Sequence, residues 1–568
     1  MRTRQKRALF VVVAILLIAT LAGCATNAQL TASASAAQQA ASASVAPTQA
    51  AEPANDPFGK YAELVTLTTG LKISDKIAKL PNGDTAEDNE YTRYVKERLN
   101  IEIKGVWEAP TGDAYNQRVT LTLASGDIPD YIQVFGSYPT FKAYVDSGLI
   151  ADLKTAYDNF ASPDLKEAHE STRGKSLEMA TFDGKLYGIP GINKGGDCYN
   201  FLWVRQDWLD KLNLKAPSTL DDIVTVAKAF IEQDPDGNQQ KDTVGLTGSK
   251  TLVGHNNSFH GFDTVFSLYK AYPTHWLKDS AGKVYYGSIS AETKNALIKL
   301  QEMYQAGYID KEFGLRKDPN ELIVSGKCGM FFGPWWAPYT PLADSVKNDP
   351  KADWKALVAP LADDGKLYSH MQGVSKDFIV VSNKCKNPEA LVKILNIQKG
   401  LDEWTDPKAG TFYGGQGDFL VSRDFIGTSI LVTRWDDLER SYTKLKQVVD
   451  GSADISTLTP KQKGQADKIL ADIKEPMKDM GNWSVNGAYM IGGAAAADPK
   501  IQQVFGVFYG QTKTMESKWS SLSKLENEAF LKIIMGESID SFDAFVQQWK
   551  ELGGDAITAE VQKELDSK

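Results

Sequence analysis

The chain has 568 residues, 24% of them charged, a formal net charge of -9, and an aromatic content of 10% that includes 12 Trp and 22 Tyr. Four positive charges lie in the first seven residues, so loss of that segment would take the balance from -9 to -13 and disfavour nucleic acid as a partner. A chain of this length exceeds what one hydrophobic core organises, and two lobes are expected.

Arg2, Arg4, Lys6 and Arg7 precede the apolar run from Ala8 to Ala22. A basic start followed by a short apolar stretch reads as a secretion signal rather than a permanent span. Leu21-Ala22-Gly23-Cys24 resembles the bacterial lipobox, which implies cleavage after residue 23 and acylation of Cys24. Acyl chains add about 0.8 kcal/mol per buried methylene, so the expectation is a protein anchored to the membrane through Cys24 on its extracytoplasmic side. Residues 24–57 are dominated by Ala, Ser, Gln, Thr and Pro, which offset too little ordering entropy to fold and read as a tether.

From Leu64 a β-rich segment runs to Thr69, followed by a helix over Asp88 to Leu99 with Tyr91, Tyr94, Val95 and Leu99 on one face. A strand from Ile101 to Trp107, a helix from Asp113 to Ala124 and a strand from Asp130 to Phe135 continue the alternation of an α/β lobe. Further on, Ser218 or Thr219 caps a helix bearing Ile223, Val226, Ala227 and Phe230, and Ala291 to Ala306 repeats that spacing with Leu297, Leu300 and Tyr304. Besides Cys24 only Cys198, Cys328 and Cys385 remain, without C-x-x-C spacing. One bridge or three thiols are both open, and a domain this large favours buried thiols.

Asp234-Pro-Asp-Gly-Asn-Gln-Gln-Lys-Asp242 sets oxygen side chains at 234, 236, 238 and 242, with Gln240 available between them. Alternating oxygens after a helix suit calcium in a structural role, although Gln239 stands where such loops prefer Gly. Catalytic strings are absent: there is no G-x-S-x-G and no H-E-x-x-H, and the five histidines lack metal spacing. Gly248-Ser-Lys-Thr251 ends like a phosphate loop but lacks the earlier glycine. A receptor is therefore expected rather than an enzyme.

Several strings resemble the extracellular solute-binding proteins of family 1, which feed sugar-importing ABC transporters. They are Ser125-Gly-Asp-Ile-Pro-Asp130, Gly148-Leu-Ile-Ala-Asp-Leu153, Asp183-Gly-Lys-Leu-Tyr-Gly-Ile-Pro190, Phe201 to Leu212 and Gly326-Lys-Cys-Gly-Met-Phe-Phe-Gly-Pro-Trp335. Lys532 to Glu537 and Trp549 to Gly554 are similar to the oligosaccharide- and alginate-binding branch, as is the calcium loop. The resemblance implies a two-lobe, hinge-linked α/β fold with a helix-rich second lobe: residues 58–190 with about 370–440 in the first, 191–369 with about 441–568 in the second. It implies a monomer that closes on an oligosaccharide and delivers it to the permease subunits of an ABC importer, with a peptide receptor, a glycoside hydrolase or a polysaccharide lyase as alternatives.

A sugar ring presents an apolar C–H face and an equator of hydroxyls, so its receptor combines aromatic platforms with polar groups. Trp335 sits where the family places a stacking tryptophan, and Trp336 follows it. Tyr199, Trp203 and Arg205 alternate along a strand, so one face of it offers two aromatics and a guanidinium either to a cleft or, through Asp207, to an ion pair. Trp404, Tyr413 and Trp483 lie in polar or Gly-rich contexts typical of binding loops.

Overall fold

The computed structural model describes residues 55–566 apart from 75–79, 81–82, 137, 255–256 and 410–422. The strand Val65–Ile73 pairs in parallel with Ile101–Pro110, and the helix Glu90–Leu99 connects them. Asn89 starts that helix by accepting from the backbone of Tyr91 and Thr92, while Asn100 ends it in the left-handed conformation at φ 56°. Tyr91, Tyr94, Val95 and Leu99 are buried, as their spacing predicts. A register shift falls at Thr69/Gly70, and a Cβ on Gly70 would lie 2.2 Å from the Trp107 ring, so only glycine lets the strands close there. The pairing extends past both predicted strand ends.

The helix Asp113–Ser125 leads into the strand Tyr131–Val134, which pairs antiparallel with Phe378–Val381; Ile189–Pro190 completes that sheet. Asp130 fastens this sheet to the first one. Its carboxylate accepts from the backbone N (2.8 Å) and hydroxyl (2.7 Å) of Thr68, and its own N–H donates to Thr68 Oγ1 at 2.9 Å. One continuous hydrophobic core gathers residues between Leu67 and Ile189 with those between Phe378 and Val432, and Phe141 stacks on Phe378 within it at 4.1 Å.

A second large core forms around the sheet in which Phe201–Arg205 runs between Met330–Gly333 and Trp354–Leu357, antiparallel to both. Helices Leu220–Glu232, capped by Thr219, and Ala291–Gln305 cover it with the apolar faces expected of them. The C-terminal helices Lys513–Ile534, Ser541–Trp549 and Asp555–Asp566 complete this core, and Trp549 stacks on Tyr286 at 5.1 Å with 8° between the planes. Cys198 and Cys328 are buried and Cys385 is half-buried, all three as free thiols.

The chain passes between the two cores three times, and the three segments are laced together. Gly191 N donates to Asp377 O (2.8 Å), Ile192 N to Leu431 O (2.6 Å), Asn193 N to Val374 O (2.8 Å) and Gly195 N to Trp435 O (2.9 Å). Asn193 Nδ2 adds a bond to Gly373 O at 2.6 Å. Ile192, Cys198, Phe201, Met371, Val374, Trp435 and Leu438 form a small core around this junction.

Burial raises the carboxyl of Glu526, on the long C-terminal helix, from 4.5 to about 7, against the hydroxyls of Ser288 and Tyr286 that donate to it at 2.7 and 2.9 Å. The folded state then holds a proton that the unfolded chain has lost, so this group's contribution to stability is complete below about 4.5 and falls as pH rises to about 7. Glu526→Gln is expected to remove this slope from the stability profile, a change of up to about 3 kcal/mol in unfolding free energy at neutral pH that melting temperatures recorded against pH would follow. An unchanged slope between those pH values would contradict the assignment.

Candidate binding site

The strand Met330–Gly333 ends in Pro334, which turns the chain so that Trp335 and Trp336 project half-buried. Trp335 Nε1 donates to Asp197 Oδ1 at 2.9 Å, and the indole meets the Tyr489 ring edge-on at 5.3 Å. Trp336 Nε1 donates to Asn257 Oδ1 at 2.7 Å, and its ring meets Phe259 at 4.9 Å. Asn257 N in turn donates to Asp197 O at 2.8 Å. Both indoles are thus held by their polar edges while part of each stays accessible, and Asp197 ties them to the first crossover.

Tyr489 belongs to a single widened turn, Gly487–Gly492, inserted between the helices Met480–Asn486 and Gly493–Ala496. Such π-type turns concentrate at functional sites. A Cβ on Gly492 would stand 2.1 Å from the Trp335 carbonyl oxygen, so the turn can approach Trp335 only with glycine there.

A second polar-aromatic cluster lies at the carboxyl ends of Val65–Ile73 and Tyr131–Val134, the place where open α/β sheets bind ligands. Lys72 Nζ donates to Gln133 Oε1 at 2.8 Å and to Asp424 Oδ1 at 3.0 Å, beneath the rings of Tyr115 (4.9 Å) and Phe135 (5.4 Å). Ser429 Oγ donates to the same Asp424 oxygen at 2.6 Å, and Phe135 is 43% exposed. Sequence reasoning missed this cluster. The signal available was a lysine near the end of an otherwise uncharged strand.

Other sequence-derived candidates fall elsewhere. Trp203 is wholly buried and spends its Nε1 on Pro334 O at 3.1 Å, because its strand is central in its sheet and faces packed side chains on both sides. Arg205 is 2% exposed; its guanidinium bonds Asp207 at 2.7 and 2.6 Å and Asp349 at 2.7 Å, above the Trp208 ring, and is not free to hold a ligand carboxylate. Of the two readings open to that residue, the ion pair is the one observed. Tyr199 is 4% exposed, donates to Glu439 Oε1 at 2.9 Å and accepts from Gln503 Nε2 at 2.8 Å. Trp404 is half-buried just beyond the helix Glu389–Asp402 at φ 59°. Trp483 is half-buried and packs in the cluster of Trp203, Leu342 and Ile491. Tyr413 and Cys24 lie outside the described residues.

The oxygen-rich loop does wrap on itself. Asp234 accepts from the backbone N of Gly237 (3.2 Å) and Gln239 (3.0 Å), and Gln239 adopts φ 61° despite its side chain. Asn238 Nδ2 bridges Asp236 (2.7 Å) and Asp242 (3.0 Å), and Lys327 Nζ lies 3.1 Å from Asp242. Partial burial and the Asp234 carboxylate beside it raise the Asp236 carboxyl. An amide and an ammonium thus stand where a cation would balance the three acids. Among the described residues no group of three or more His, Cys, Asp or Glu is arranged to hold a metal.

Residues 90–406 match the bacterial extracellular solute-binding protein family. The chain is 31% identical over 250 residues to the polygalacturonan/rhamnogalacturonan-binding protein YtcQ of Bacillus subtilis, a match spanning 42% of this chain and 46% of that one. It is 25% identical over 513 residues to lipoprotein LipO of the same organism, spanning 89% and 94%. Among solved structures, the alginate-binding protein AlgQ2 without calcium superposes with a TM-score of 0.54 at 19% identity, over 89% of this chain and 99% of that one. An EF-hand mutant of the Streptococcus pneumoniae ABC-transporter substrate-binding protein FusA, in complex with fructo-nystose, gives 0.52 at 18%, over 88% and 99%. The fold is therefore that of the two-lobed solute-binding proteins. The chain belongs to the bacterial extracellular solute-binding protein family. No helix among the described residues is long and apolar enough to cross a membrane.

Arg205→Gln should destabilise the fold by about 1–2 kcal/mol, read as a lower melting temperature, given that both acidic partners are partly exposed, and should leave ligand affinity unchanged. Loss of affinity in a variant that retains its fold would return Arg205 to the binding site.

Proposed function

We propose that the chain is the glycan-binding component of an ABC importer, which closes its two lobes on an oligosaccharide and presents it to the permease. The observation that carries this reading is the pair of half-exposed indoles, Trp335 and Trp336, each clamped through its ring nitrogen beside the first crossover. Fixed indole faces suit the C–H face of a sugar ring, and Asp197, Asn257 and the Lys72–Asp424–Ser429 cluster supply oxygens and donors of the kind sugar hydroxyls need. The carbohydrates named for YtcQ, AlgQ2 and FusA support the same ligand class. A receptor for peptides would have to hold charged termini, and the cation of the first-lobe cluster, Lys72, is already committed to Asp424.

In this reading the lobes divide at the three crossovers, the segment before the first and that between the second and third forming one lobe. The protein is a monomer, binds without catalysis, and works outside the cytoplasm, anchored through a lipid on Cys24. The relative named as a lipoprotein supports that anchorage. Asp234, Asp236, Asn238, Gln240 and Asp242 would hold calcium in the loop at the end of the helix Leu220–Glu232. Its chemistry there is structural charge balance.

Neutral and acidic oligosaccharides should raise the melting temperature of the chain from Phe58 onward without being cleaved, and short peptides should not. Trp335→Ala should abolish that stabilisation, a loss of at least about tenfold in affinity, in a variant that still unfolds cooperatively, although at a lower temperature. Turnover of the sugar, or stabilisation by peptides alone, would overturn the proposal. Calcium should stabilise the wild-type chain by several degrees relative to chelator, an effect expected to vanish in Asp236→Asn; equal melting temperatures in both buffers would remove the metal from the account.

A further inference from the structure

A cavity of about 780 Å³ lies apart from both aromatic clusters; none of Lys72, Phe135, Asp197, Trp335 or Trp336 lines it. One wall comes from the turn Arg173–Lys175, which precedes the first crossover. The other comes from the helix Asp437–Val449, which follows the third, and from residues 496–505. Its volume falls in the range of about 300–1,000 Å³ typical of small-molecule sites.

Four cations line it: Arg173, Lys175, Arg440 and Lys444. Three acids share the wall, Asp436, Glu439 and Asp498, and of these Asp436 is paired with a cation. Asp436 is held by Arg434 Nε at 2.9 Å, and Asp498 accepts from the Lys500 backbone at 2.8 Å. Glu439 takes the Tyr199 hydroxyl at 2.9 Å on Oε1, its buried Oε2 has no hydrogen-bond partner among the described residues, and burial raises its carboxyl. Of the cations, Arg440 faces Glu167 at 3.8 Å, whereas Arg173, Lys175 and Lys444 have no acidic partner among the described residues. Lys175 Nζ instead rests 5.5 Å from the Phe505 ring, so a cation and an aromatic face occur together. Gln502, Gln503 and Thr443 add hydrogen-bonding groups.

We propose that this cavity is a second binding site, for a sugar-sized molecule carrying an oxyanion, with Arg173, Lys175 and Lys444 on the anion and Phe505 against the ring. Guanidinium and ammonium groups bind carboxylate and phosphate oxygens by charge-assisted hydrogen bonds, and both anions meet the same demand. The carboxylate of a uronic acid and the phosphate of a sugar phosphate are the two sources of that chemistry. The site is independent of the aromatic pair, and its occupancy does not require the glycan reading given above.

Isothermal titration of the chain from Phe58 onward at low salt, with sodium galacturonate, glucose 6-phosphate and neutral glucose, tests it. One or both of the anions should bind and glucose should not, and whichever binds identifies the source. The double variant Arg173→Gln/Lys444→Gln should weaken that binding by at least about tenfold while melting at the wild-type temperature, since both side chains reach solvent. Trp335→Ala should bind the anion as the wild type does, which separates failure of this site from failure of the aromatic one. Absence of binding by both anions, equal binding of glucose, or undiminished binding by the double variant would overturn the proposal.

Discussion

The rest of the structure depends on the backbone lacing of the three crossovers. Gly191, Ile192, Asn193 and Gly195 donate in sequence to Asp377, Leu431, Val374 and Trp435, so that three segments far apart in the chain become one joint. Side chains would wedge it open. A Cβ on Gly195 would lie 2.6 Å from the Trp435 indole, and one on Gly196 equally close to Leu438. Two separate cores flank the joint, each with its own sheets, so relative motion of the two bodies costs little packing within either. The aromatic pair is fixed to the joint through Asp197, and Ser429 of the Lys72–Asp424–Ser429 cluster lies in the chain just before the third crossover.

What a ligand meets in such a site is set by which polar edges are already spent. Trp203, Trp335 and Trp336 lie near one another in the fold, yet only the last two keep accessible surface, because Trp203 points into a layer closed by Phe331 and Trp354. Arg205 illustrates the same rule for charge. A guanidinium buried between strand and helix would be very costly unpaired, and Asp207 and Asp349 offset that cost. These bonds hold the guanidinium between its own strand and the helix that follows.

Local regularities of the fold were legible in the sequence. The helical faces of Tyr91, Tyr94, Val95 and Leu99, and of Ile223, Val226, Ala227 and Phe230, follow from apolar spacing alone, and Thr219 takes the cap its residue type predicts. The Gly-Pro-Trp string marked Trp335 because its chemistry is local: a turn that lifts an indole from the end of a strand. Alternation did not reveal that Tyr199, Trp203 and Arg205 are all buried, since period two identifies the faces of a strand without saying whether both are covered, and the strand Phe201–Arg205 is central. Lys72 and Asp424 stand 352 residues apart in the chain, so their meeting is a property of the fold that spacing cannot carry. The same holds for Arg173 and Lys444.

The claim on which the account turns is that a glycan is held between the two bodies and draws them together. Small-angle X-ray scattering of the chain from Phe58 onward, recorded with and without a saturating oligosaccharide identified by thermal shift, tests it most directly. A smaller radius of gyration in the bound state, absent in Trp335→Ala, is the predicted result. Superimposable curves under verified saturation would contradict it.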